Sequence, residues 1–285
     1  VGEGMFWPVA MSAVASSFGA RRGFALGAFY VGFDLGGATG TAVGGASFAA
    51  TSDWRTAFFV APLLGLVVLA GLILVRKRSG WAGASGGMPS LGRSSLASLR
   101  ERGMATVILF AFLATYPVAA WQSYLPTYLK SVLGLGVASA AYGAAAVLLA
   151  GAAGKLILGR ASDARRRNRV LLALCGCALG LYGLFFSASA VALGLGLGMA
   201  VGFVSSAIFP VMQALAADSS GGMTGTALGL TTTSQSLATV LSPTITSLFF
   251  PQGVGAAIAY NVMVPMAFVV VVALLLRDPR PTQSA

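Results

Sequence analysis

Histidine is missing from all 285 residues, and charged side chains number only 18 basic and 7 acidic. The first absence excludes zinc–histidine sites, histidine-ligated haem and the intramembrane proteases that depend on histidine. The second is as restrictive: charged residues make up 9% of the chain, against roughly 25% in a soluble globular protein. Cysteine is scarce too. Cys175 and Cys177 stand two apart in one apolar segment, where helical geometry turns them about 200° from each other and prevents a bond between them. They read as small packing residues. With no metal-ligand cluster and no paired carboxylates, the chain is not read as an enzyme, and no cofactor or metal is expected.

What is present is apolar. Hydrophobic residues reach 57% and the mean hydropathy is +0.86. They come in long runs. A membrane-spanning helix takes about 20 residues, so this length allows about eight to ten spans. The chain is therefore read as an all-α integral membrane protein. Apolar periodicity and its breakers place nine spans, at 1–18, 23–49, 54–75, 104–129, 137–158, 170–189, 191–215, 225–250 and 255–276. The run Gly194-Leu195-Gly196-Leu197-Gly198 is membrane helix packing rather than a phosphate loop, because no strand precedes it and no lysine follows.

Loop charge tests the alternation of those spans. Fifteen of the 18 basic residues fall on one side, among them Arg21, Arg22, Arg76, Arg160, Arg165, Arg166, Arg167, Arg169 and Arg277. The other side receives Arg55 and Lys130, while Lys155 sits at the inner end of its span. Basic loops stay cytoplasmic, so the crowded side is inside and the tail 277–285 is cytosolic. The net charge of +11 is then topology, and no nucleic-acid partner is expected. The stretch 76–103 is basic, then rich in glycine and serine, then amphipathic; it reads as a cytoplasmic linker ending in a short surface helix. Trp54 and Trp121 lie near span ends and read as interfacial or packing anchors.

A repeat runs through the chain at an offset of 202 residues. Pro8 meets Pro210, Gly23 meets Gly225, Gly27 meets Gly229, Leu35 meets Leu237 and Phe48 meets Phe250, across two spans and a loop without a gap. Such an offset implies two halves in parallel orientation, as in many transporters. Three spans precede the repeat in the second half, so the same register implies three spans, roughly 100 residues, before Val1.

The residues resemble the major facilitator superfamily of secondary transporters from its fourth helix to its twelfth. Gly2-Glu3-Gly4 and Pro8, then Arg21-Arg22-Gly23 and Ala25-Leu26-Gly27, are similar to helix four, its basic loop and the start of helix five. Asp34-Leu35-Gly36-Gly37, Gly40 and Gly44-Gly45 resemble the helix-five glycine motif, and Asp53-Trp54-Arg55 the start of helix six. Leu125-Pro126-Thr127-Tyr128-Leu129 resembles the end of helix seven. Gly159-Arg160-Ala161-Ser162-Asp163 followed by Arg165-Arg166-Arg167 resembles the loop between helices eight and nine. The antiporter form of the helix-five motif carries Gly-Pro, whereas Gly40 is followed by Thr41 here, so the resemblance carries no antiporter assignment. It implies two six-helix bundles, of which residues 1–75 hold the N-terminal one without its first three helices and 104–276 the C-terminal one. It also implies a monomer in the plasma membrane, moving a small organic solute by alternating access, coupled to protons.

The residues that would carry such work are few. Asp34 lies about twelve residues, roughly 18 Å, into its span, and no base is read as lying deep in any span. A carboxylate there costs about 2.5–3.5 kcal/mol on insertion scales. It is either a protonatable coupling site or a structural carboxylate, capped by backbone or paired with a base upstream of Val1. Gly32, Gly36, Gly40 and Gly44 recur every fourth residue and form the expected close-packing stripe, with Asp34 about 200° away from it. Glu3 is the second intramembrane acid, a solute or proton site or the partner of an upstream base.

In the second half the span residues expected to line the cavity are neutral. They are Tyr116, Trp121, Gln122 and Tyr124, then Ser205 and Ser206, then Gln235 and Asn261; each serves either the cavity or hydrogen bonding between helices. With no deep base visible, a neutral or cationic solute is favoured. The resemblance gives Asp163, with Arg165 and Arg166, the role of a cytoplasmic latch; the other reading is a plain basic loop. A channel would need a filter or charged ring, which is not seen, whereas a non-transporting sensor on the same scaffold stays open.

Overall fold

The computed structural model describes residues 2–79 and 103–277. The surface helix expected at the end of the linker and the tail beyond 277 lie outside the described residues, as does the side chain of Glu3. Among the described residues there is no strand. Helices fill all nine expected spans. They are α1 (Gly2–Ser17), α2 (Arg22–Thr51), α3 (Arg55–Ser79), α4 (Met104–Ser131), α5 (Val137–Asp163), α6 (Arg167–Ser187), α7 (Val191–Ser206), α8 (Ile208–Ser219), α9 (Thr224–Leu248) and α10 (Val254–Leu275).

One expected span is two helices. The run 191–215 breaks at Ala207 between α7 and α8, because Pro210 has no amide to give the carbonyl of Ser206 and its ring crowds that carbonyl. Other boundaries have equally local causes. Ser52 ends α2 at φ 57°, its amide returning to the Phe48 carbonyl at 2.8 Å, and Asp53 starts α3 by accepting the Arg55 amide at 3.0 Å.

Among the described residues, five segments are long and apolar enough to cross a membrane on their own: α4, α5, α6, the α7–α8 pair and α10. The glycine-rich α2 and the threonine- and serine-rich α9 are long but less apolar, and α1 has 16 residues. Outward faces carry bare apolar side chains such as Phe58 and Phe59 of α3 and Leu274 and Leu275 of α10. Water would penalise such faces and hydrocarbon does not.

The helix pair that positions everything else is α2 with α5, which pack along most of their length. Glycine makes this possible. A methyl group at Gly27 would fall inside van der Waals contact with the backbone carbonyl of Lys155, and one at Gly23 with Ser162, Asp163 and the carbonyl of Gly159. A methyl at Gly45 would strike Ala141. These positions, with Asp34 and Ala38, follow one another at intervals of four and seven residues and so share one face.

The close-packed ridge is therefore not the one expected. Methyl groups at Gly32, Gly36 or Gly40 would meet nothing within 4 Å, and one at Gly44 would only touch Ala57 of α3 at 3.8 Å. A helix with this much glycine offers several small-residue ridges, and spacing alone does not say which one a neighbour covers. Asp34 is seven residues beyond Gly27, nearly two full turns, so it lies on the packed face rather than away from it.

Elsewhere α5 also meets α7, where Gly154 approaches the backbone of Phe203. α4 lies against α9 and α10, α6 against α10 and α7, and α1 against α9. The α2–α5 contact yields a direct test. Gly27→Ala should lower stability by about 1–3 kcal/mol, the usual cost of overpacking, whereas Gly36→Ala should leave it unchanged; thermal unfolding of the purified protein in detergent measures both.

Candidate functional site

A cavity of about 630 Å³ opens between the helices on either side of the linker. α1 contributes Trp7 and Met11, and α2 contributes Tyr30, Phe33, Gly37 and Thr41. Facing them are Thr115, Gln122 and Ser123 of α4, Lys155 of α5, Phe209 of α8, and Gln235, Ser236 and Thr239 of α9. One wall is aromatic. Trp7 stacks on Tyr30 with centroids 5.6 Å apart, and Tyr30 stacks on Phe209 at 6.3 Å.

One residue of the cavity lining, Lys155, belongs to an ion pair. Lys155 Nζ donates to Asp34 Oδ1 at 2.7 Å, and the two residues are 2% and 1% exposed. The ammonium also lies 5.3 Å from the Tyr30 ring centre, 5.8 Å from Phe33 and 5.9 Å from Phe209. Three aromatic faces thus share the cation with one carboxylate oxygen. The second oxygen, Oδ2, has no hydrogen-bond partner among the described residues.

This corrects two expectations. A base does lie deep in a span: α5 continues to Asp163, which puts Lys155 about two turns, roughly 12 Å, inside its end. The partner of Asp34 is also within this chain, on α5, not upstream of Val1. The signal was present in the sequence, since Lys155 is the one base left unassigned by the loops and Asp34 is an acid without a partner. A buried membrane charge finds its opposite, and joining the two was the missed step.

The other expected residues divide. Gln122 and Gln235 line the cavity. Gln235 is held by Gln213, whose amide donates to it at 2.6 Å while Thr231 donates to Gln213 at 2.8 Å. The remaining six are not among the cavity residues. Tyr116 donates to Asn261 at 3.1 Å, and Tyr124 donates to the Pro243 carbonyl at 2.9 Å. Trp121 is wholly buried beside Tyr182 and Phe185. Ser205 and Ser206 are buried, the latter opposite Gly151 of α5. Beyond these, sequence reasoning missed Trp7, Tyr30, Phe33 and Phe209, whose aromatic character does not separate cavity from core.

At the helix ends expected to face the cytoplasm is a chain of charges. Asp163 accepts the amides of Gly23 and Phe24 at 2.7 and 2.9 Å, so the last residue of α5 caps the first turn of α2. Arg167 bonds Asp163 at 3.2 Å and Asp218 at 2.8 Å, and Arg22 bonds Asp218 at 2.8 Å. Arg22 and Arg167 are thus two arginines on these acids. Arg165 and Arg166 border a different cavity, of about 640 Å³.

Helices of spanning length packed around an aromatic-walled cavity define a multi-pass membrane protein. The sequence matches the profile of the Major Facilitator Superfamily over residues 1–200 and 144–285, and the chain belongs to that family. No curated protein matches it. The fold resembles FucP, a major facilitator superfamily transporter in its outward conformation, with a TM-score of 0.58 and 16% identity, covering 78% of this chain and 54% of that one. The chain thus spans about half the length of this relative. A variant of the E. coli fucose:proton symporter FucP gives a TM-score of 0.56 at 14% identity, over 94% of this chain and 91% of that one.

Removing one partner of a buried pair strands a charge, at a cost of about 3–5 kcal/mol, whereas replacing both with apolar groups is often neutral. Lys155→Met and Asp34→Leu should therefore each lower the melting temperature sharply, and the double variant should recover most of the loss. A double variant no more stable than the worse single one would contradict a coupled pair.

Proposed function

We propose that the chain serves secondary active transport of a small organic solute across the membrane by alternating access, with proton movement coupled through Asp34 and Lys155. The observation that carries this reading is the position of the pair: buried, bridging the seam between α2 and α5, with Lys155 lining the cavity. The family supports transport. The neighbouring fucose:proton symporter supports proton coupling on this fold.

The physical logic is electrostatic. An ionised Asp34 neutralises Lys155, and a protonated Asp34 leaves an ammonium facing the cavity in a medium where charge is poorly screened. A solute offering an anionic or strongly hydrogen-bond-accepting group then binds better. By linkage, that solute raises proton affinity by the same factor. Proton and solute favour each other's binding, which is the condition for moving in the same direction. The deep lysine thus shifts the solute class from neutral or cationic to neutral polar or anionic. Gln122, Gln235, Ser123 and Thr115 supply orienting hydrogen bonds, and Trp7, Tyr30 and Phe209 an apolar surface.

At the cytoplasmic face, the Asp163 cap and the Arg22–Asp218–Arg167 chain serve as the latch that holds α2 and α5 together while the inner end is closed. On this reading the protein works as a monomer in the plasma membrane, and its loop charges support a cytoplasmic C-terminus.

The test uses proteoliposomes loaded with a pH-sensitive dye and a panel of neutral and anionic solutes. At least one solute should drive proton entry, and Asp34→Asn should abolish that entry while keeping solute counterflow, which needs no net proton movement. Solute binding without flux of either kind would favour a sensor instead, and full proton coupling in Asp34→Asn would remove this residue from the mechanism.

A further inference from the structure

The cavity of about 640 Å³ bordered by Arg165 and Arg166 is separate from the one holding the ion pair; it lies between α5, α6 and α7 at their cytoplasmic ends. Its interior is apolar: Leu158 from α5, Val170 and Leu174 from α6, and Phe203 from α7. Its polar border is three arginines, Arg165, Arg166 and Arg169, within five residues of the α5–α6 turn. No acid is among the residues that line it. Among the described residues, Asp163 and Asp218 bond Arg167, Arg22 and the start of α2.

Two details mark the arginine end as built to receive an anion. Arg166 Nε is buried without a hydrogen-bond partner among the described residues, and such a buried donor calls for a partner from outside. The same end is the start of α6, where no side chain caps the helix, so its dipole adds to the attraction for negative charge. The groove also opens sideways, since Ala173 and Cys177 on its α6 wall are exposed.

An apolar groove that runs into the membrane and ends in three cations at the cytoplasmic interface matches one occupant: a phospholipid with an anionic headgroup. We propose that this groove binds one such lipid, its phosphate among Arg165, Arg166 and Arg169 and an acyl chain along Leu158, Val170 and Phe203. Basic pockets between helices on the cytoplasmic side are the known physical form of such sites. The inference requires that the chain be embedded in a bilayer and does not depend on the transport reading.

The test is electron paramagnetic resonance of the protein in phosphatidylcholine vesicles containing a trace of spin-labelled phosphatidylglycerol or phosphatidylcholine. The motionally restricted fraction should favour phosphatidylglycerol by about fivefold or more, the effect of even one basic side chain at an anionic surface. The variant R165Q/R166Q/R169Q should bring the two lipids to parity. Arg21→Gln, which removes a cytoplasmic charge outside the groove, should change nothing. Ala173→Trp, which fills the apolar part and keeps every arginine, should also abolish the preference; loss there identifies the acyl chain as part of the ligand. Excess inorganic phosphate should not displace the labelled lipid. Parity in the unmodified protein, equal loss in Arg21→Gln, a preference that survives Ala173→Trp, or displacement by phosphate would each overturn the proposal.

Discussion

Everything in this molecule hangs on how closely α2 approaches α5. Glycine at positions 23, 27 and 45 strips one helix face down to backbone, and the two helices meet at a distance that no larger residue permits. At that distance a carboxylate on one helix and an ammonium on the other are brought into direct contact. Helix association in lipid gains nothing from excluding water, so contact quality must supply the energy. Here it comes from three sources along one seam: backbone packing, a buried ion pair, and a carboxylate that caps the neighbouring helix.

The same seam separates structural from functional demand. A pair that only held helices together would sit best with all its oxygens satisfied and sealed from any cavity. Asp34 has one oxygen unmatched and Lys155 borders open space. The proposed proton coupling asks for this arrangement, a charge whose partner is exchangeable. The aromatic rings around the ammonium stabilise it without neutralising it, which keeps the site tolerable when the carboxylate is protonated.

Span positions were legible in the sequence because apolar runs and their breakers have one dominant cause, the thickness of the bilayer. Even the fine boundary at Ser52 follows a breaker that could be read beforehand. Rotation about each helix axis was not legible to the same degree. Asp34 was placed on the wrong face, since four-residue glycine spacing fits α2 in more than one register. Lys155 was assigned to the inner end of its span because α5 continues past the last apolar residue. The cavity residues Gln122 and Gln235 were found by polarity alone, yet the same criterion also picked Tyr116, Tyr124 and Asn261, which bond other helices. Polarity identifies a residue that needs a partner; only packing says whether that partner is protein.

The break at Ala207 bears on the ion pair from a distance. Pro210 withholds a single amide, and the chain restarts as α8 after Ala207. Phe209 sits in the first turn of that restarted helix and presents its ring 5.9 Å from Lys155. A missing hydrogen on one backbone nitrogen thereby aims an aromatic face at a cation contributed by a different helix. Any sequence change that straightened this segment would alter the electrostatic surroundings of Lys155 without touching a charged residue.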